Sequence, residues 1–144
     1  MAGKILPYEG IWTREEVAAD KDNLYVYGDN KVDRISGYVP KTTQAVIRGL
    51  PNAISLITKK DRYLNSNSFF TDDDFDEYCS YLHDRFLVLE TCLKCGKNIY
   101  VPVKDGQVLI GTGKADLPNK APKCYLELCK KFNFLFRYYG EKYE

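Results

Sequence analysis

Histidine and tryptophan each occur once in the 144 residues, and methionine only as Met1. With His83 alone inside a helical pattern, neither a catalytic triad nor a His-rich metal set can readily be assembled. Charge of one sign is also missing, since 21 Lys and Arg stand against 20 Asp and Glu. That balance excludes a strongly basic phosphate-backbone binder and an acidic tail, and places nucleic acid last among the partners considered. No apolar run nears the roughly 20 residues a membrane span needs, so no membrane partner is expected. Pro7 breaks the opening stretch before a signal-peptide core can form. The five cysteines are therefore expected as free thiols of a reducing, cytoplasmic compartment, the host's own if the chain is viral.

What is present suits one domain over residues 1–144, long enough to bury roughly 70% of its unfolded surface. Strand and helix patterns alternate throughout. Lys4–Tyr8 reads as a first strand, and Thr13-Arg14-Glu15-Glu16 as a capping box with Trp12 and Val17 as its staple. Leu24–Tyr27 is a β-rich run stopped by Gly28-Asp29-Asn30, followed by a loop with Gly37 and Pro40. Helical spacing begins near Thr42 and runs toward Leu50, and Ala53–Thr58 is apolar enough for a central strand. Thr71-Asp72-Asp73-Asp74 caps the longest helix, whose stripe is Phe75, Tyr78, Cys79, Leu82, Phe86, Leu89 and Leu93. Asn98–Val103 is a fourth strand, a glycine loop spans Asp105 to Gly113, and Pro122 opens the last helix. The alternation predicts an α/β fold, a three-layer sandwich with a mostly parallel central sheet.

In such sheets ligands sit beyond the carboxyl ends of strands. Three segments there have the composition of an anion site: Gly28-Asp29-Asn30, Pro40-Lys41-Thr42-Thr43-Gln44, and Asp105 through Gly111-Thr112-Gly113-Lys114. Hydroxyls, a lysine and free N–H groups at a helix start attract phosphate, and glycine lets the backbone approach it. Each segment also has a plainer reading as a turn or cap. Gly111-Thr112-Gly113-Lys114 is neither a Walker loop nor a dinucleotide fingerprint, because its glycine spacing fits neither. Cys92-x-x-Cys95 has the spacing of half a zinc site but suits a helix end closed by Gly96, so no metal and no cofactor are expected. The C-terminal tyrosines Tyr138, Tyr139 and Tyr143 fit either packing on the core or stacking on a partner.

The ordered set Leu24–Asn30, Gln44–Ala53, Thr58-Lys59-Lys60, Phe69–Phe75, Val101–Gly106, Gly111-Thr112-Gly113, Leu117-Pro118 and Ala121–Lys123 resembles a family of small uncharacterised phage and bacterial domains. The match covers most of residues 24–128. The layout also resembles macrodomains and other Rossmann-like pockets for ADP-ribose and related nucleotides. Here Ser36–Thr43 stands where many relatives are glycine-rich.

The resulting expectation is a nucleotide-like small molecule, ADP-ribose-like or a signalling nucleotide. Asp29 and Asn30 would meet ribose or base, with Gly28 behind them. Thr42, Thr43 and Gln44 would take one phosphate, and Gly111, Thr112, Gly113 and Lys114 a second. Lys59, Lys60 and Arg48 would add charge, and Asp29 or Asp105 would activate a water in a hydrolytic variant. The alternative is a protein-interaction module that inhibits a host protein and has no small-molecule ligand. Homo-oligomerisation is compatible with either.

Overall fold

The structure, a computed structural model, describes residues 1–141; Tyr143 lies outside them. Thr13 and Thr71 each close a capping box, with Glu16 and Asp74 as the reciprocal partners. The first opens α1 (Arg14–Ala19), and the second leads through a 3-10 turn over Asp72–Asp74 into α3 (Phe75–Lys94). Pro122 starts α5 (Pro122–Tyr139), directly after the single-turn α4 (Leu117–Lys120). Gly96, at φ 92°, follows Cys95 at the end of α3, so the cysteine pair belongs to a helix terminus.

Five strands form one sheet in the order β1 (Ile5–Glu9), β4 (Asn98–Lys104), β2 (Asn23–Asn30), β3 (Ala53–Lys59). These four run parallel, and the two-residue β5 (Gln107–Val108) returns antiparallel along β4. The long helices α3 and α5 cover one face, burying Tyr78, Leu82, Phe86, Leu89, Leu93, Leu128, Phe132 and Leu135 against Ile5, Val26, Ile99 and Val101. The other face is an aromatic layer. Tyr25 and Tyr27 lie with Trp12 and Val17 near α1, and with the segment Ala45–Ile47. Side chains one residue apart reach opposite faces, so β2 supplies Val26 to one core and its two tyrosines to the other. The expected α/β sandwich with a mostly parallel sheet is what forms.

Three local expectations are corrected. Gly28-Asp29-Asn30 does not terminate β2 as a turn but forms its last three residues. The expected loop begins with a helix, α2 (Lys31–Ser36), capped by the Asn30 side chain and ended by Gly37 at φ 77°. The helix expected from Thr42 shrinks to a 3-10 turn over Gln44–Ile47, because Gly49 and Pro51 close behind it. Thr43 makes no capping bond at the start of that turn.

Candidate functional site

Strands β2 and β4 pair only at their beginnings, from Asn23 to Tyr25 on one and Asn98 to Tyr100 on the other. Beyond that they part, and β5 takes the place of β2 beside β4. After β2 the chain runs to the aromatic face, and after β4 to the α5 face. The opening is thus a topological switch point, where open α/β sheets bind ligands. A cleft of about 950 Å³ lies here, at the upper end of the range for small-molecule sites of roughly 300–1,000 Å³.

The freed edge of β2 is satisfied by side chains. The Gly28 N–H donates to Gln44 Oε1 at 2.8 Å, and the Asn30 N–H to Asp29 Oδ1 at 2.8 Å. A side chain at Gly28 would put its Cβ 3.2 Å from that same amide oxygen. Gln44 therefore closes the fork rather than standing free for a phosphate.

Of the eight buried polar residues among those described, all but Ser55 and Ser68 line this cleft. Five of these six form two ion-paired groups, the second completed by Arg62, and one isolated cation. Arg48 donates to Asp29 Oδ1 through Nε (3.0 Å) and Nη2, and its Nη1 bonds the Tyr38 carbonyl. The Tyr27 hydroxyl donates to Asp29 Oδ2 at 3.1 Å. Burial and the adjoining Asp29 charge push the Tyr27 hydroxyl far above its usual ionisation range. Asp33 accepts from Asn30 Nδ2, the Ser36 hydroxyl and Arg62 Nη2, each at 3.0–3.1 Å. Arg62 in turn stacks 3.9 Å from the Tyr38 ring centroid. Tyr38, which lines the cleft, is thereby held from two sides.

Burial alone would raise the Asp33 carboxyl, but the Asn30 and Ser36 bonds and the Arg62 charge outweigh it and hold it below the ordinary carboxylate value. Its folded value lies below its unfolded one, so its stabilising contribution is complete above about pH 3.9. That contribution is lost as pH falls through the lower folded value. Asp33→Asn is expected to lower Tm at neutral pH and to flatten the acid-side fall, as thermal scans below about pH 4 would show.

Lys59 is the isolated cation. Only 6% exposed, it donates to the carbonyl oxygens of Asp61 (3.0 Å) and Tyr63, with Nζ 4.5 Å from the Phe69 ring centroid. Among the described residues it has no carboxylate ion-pair partner. Burial lowers its amine from the usual lysine value, and the nearby Lys114 charge adds to this against the opposing effect of Asp61.

Most of the expected residues meet at this cleft: Gly28, Asp29, Asn30, Thr42, Thr43, Gln44, Arg48, Lys59, Gly111, Gly113 and Lys114 line it. Three lie elsewhere. Lys60 faces Asp74 at 3.6 Å, the Thr112 hydroxyl donates to the Leu109 carbonyl at 2.8 Å, and Asp105 forms the exposed β4–β5 turn with Gly106. Asp29 and Asn30 are held by Arg48 and by capping of α2, not offered outward. Sequence reading missed Asp33, Arg62, Tyr38 and Arg14 as lining residues. Asn30-x-x-Asp33 was the available signal, since it has the spacing of a capped helix start.

Thr43 has φ 85° and ψ 171°, a region held almost exclusively by glycine. Thr43→Gly is expected to stabilise the fold by about 1 kcal/mol, the relieved strain exceeding the added chain entropy. Urea unfolding would measure it.

Among the described residues no group of three or more His, Cys, Asp or Glu is placed to hold a metal, and no helix is long and apolar enough to cross a membrane. Fold and cleft together define an α/β sandwich with a polar, positively charged opening at the carboxyl edge of its sheet. A family model matches residues 7–131, and the chain belongs to that family, DUF7831, a family of unknown function. No curated protein and no solved structure matches the chain.

Proposed function

We propose that the cleft binds an anionic, nucleotide-derived small molecule, ADP-ribose-like or a signalling nucleotide. The observation that carries this reading is Lys59, a buried ammonium without a carboxylate partner on the wall of a ligand-sized cleft. A buried charge is costly unless paired, and an incoming anion supplies the pair. The wider lining agrees. Arg14, Lys41, Arg48, Lys59, Arg62 and Lys114 face only Glu15, Asp29 and Asp33, in a chain whose net charge is +1. Trp12, Tyr38, Val39 and Pro40 add apolar surface for a base or ribose.

Binding is favoured over hydrolysis, because Asp29 and Asp33 are already committed to Arg48 and Arg62 and neither is free to activate water. If the chain is of phage origin, sequestering a nucleotide defence signal would suit such a binder. A second reading, docking to a host protein, draws on the exposed Leu87, Phe134 and Tyr138 of α3 and α5. A thermal-shift screen with ADP-ribose, NAD, mononucleotides and cyclic nucleotides tests the first reading. A ligand at a hundred times its Kd stabilises by about 2.7 kcal/mol. A shift that disappears in Lys59→Met supports the cleft, and no shift with any of these ligands moves the reading to the protein partner.

A further inference from the structure

Resting on the anionic-ligand reading, we propose that the Lys59 end of the cleft is a subsite for a phosphate monoester dianion, selective against phosphodiesters. An ammonium has three N–H donors, and Lys59 spends two on the Asp61 and Tyr63 carbonyls. One donor is left. Lys114, which lines the same cleft, brings a second ammonium. The turn leading into α4 brings more donors. Its Gly111 takes φ 87°, and the backbone N–H groups of Lys114 and Ala115 bond no acceptor among the described residues. Both residues line the cleft. Lys120, whose Nζ is 4.8 Å from the centroid of the same Phe69 ring that Lys59 approaches, adds positive potential behind the site.

This set fits one kind of ligand group. Two ammonium charges and two free backbone N–H groups match a group with a double negative charge and three terminal oxygens. A diester phosphate has one charge and two terminal oxygens, so it leaves one ammonium unneutralised and a donor unfilled. A dianion also neutralises both ammonium groups, which a monoanion does not. Among nucleotide-derived ligands, those ending in a phosphate are therefore preferred over cyclic and internally bridged ones.

The test is a phosphorus NMR titration of the full chain at about pH 8, where a monoester is doubly charged. The probes are inorganic phosphate, methyl phosphate and dimethyl phosphate, with AMP, cyclic AMP and ADP-ribose as a second series. Inorganic and methyl phosphate are expected to bind at least about tenfold tighter than dimethyl phosphate. Lys59→Met and the exposed-site variant Lys114→Ala should each erase that margin, with circular dichroism confirming that both variants are folded. Equal binding of dimethyl phosphate overturns the proposal, as does a margin that survives both substitutions. Tight ADP-ribose binding without any monoester preference overturns the subsite and leaves the anionic cleft standing. Failure of every phosphate compound removes both.

Discussion

Asp29→Ala is expected to destabilise the protein by roughly 3–5 kcal/mol, the range for removing one partner of a buried ion pair. The loss comes from what is left behind. Arg48 is 5% exposed and would keep only the Tyr38 carbonyl, while the Tyr27 hydroxyl and the Asn30 N–H would each lose an acceptor. For a chain of this size the corresponding fall in Tm is roughly 10 °C. The double variant Asp29→Leu with Arg48→Met removes both charges together and should unfold at a higher temperature than Asp29→Leu or Arg48→Met alone. Thermal or urea unfolding of the four proteins completes the cycle, and additive losses would show that the pair is not coupled.

Lys59→Met is expected to have the opposite profile, a large loss of function with little loss of stability. Each charge-assisted bond that the ammonium makes to an anion is worth about 1.5–3 kcal/mol, so affinity for a phosphate-bearing ligand should fall about 10- to 100-fold. Stability should stay within about 1 kcal/mol of the parent. The Asp61 and Tyr63 carbonyls lie in an exposed loop where water replaces the lost donor, and a desolvated charge disappears. Isothermal titration paired with urea unfolding separates the outcomes. A parallel fall in both quantities would make Lys59 a structural residue and remove the main support for the ligand reading.

The two profiles mark what the sequence could and could not disclose. Capping boxes at Thr13 and Thr71, and the apolar stripe of α3, are local patterns, so they were legible and led directly to the layers. Helix α2 was not. Its apolar residues Val32 and Ile35 face solvent, and its one buried residue is Asp33, so hydrophobic periodicity carried no signal. What holds α2 is polar: Asn30, Ser36 and Arg62 around one carboxylate. The strand-end loops were recognised as a group because fold class dictates where they converge. The roles within them were not, since the Asp29–Arg48 pair spans 19 positions and no local rule links those residues. Lysine is also among the least buried residue types, so nothing in the sequence separated the buried Lys59 from the half-buried Lys60.

The parting of β2 from β4 also divides one strand into two regimes of opening. At Tyr25 the strand is held between β3 and β4, and breaking its ladder means disrupting the sheet. At Gly28 the amide is held by the side chain of Gln44, which can swing away while every strand stays paired, whereas the Asn30 amide rests on Asp29, itself locked by Arg48. Deuterium should therefore enter Gly28 through small local fluctuations, and reach the paired amide of Tyr25 only near the free energy of global unfolding. The rim of the cleft can in this way readjust around a guest without loosening the sheet that carries it.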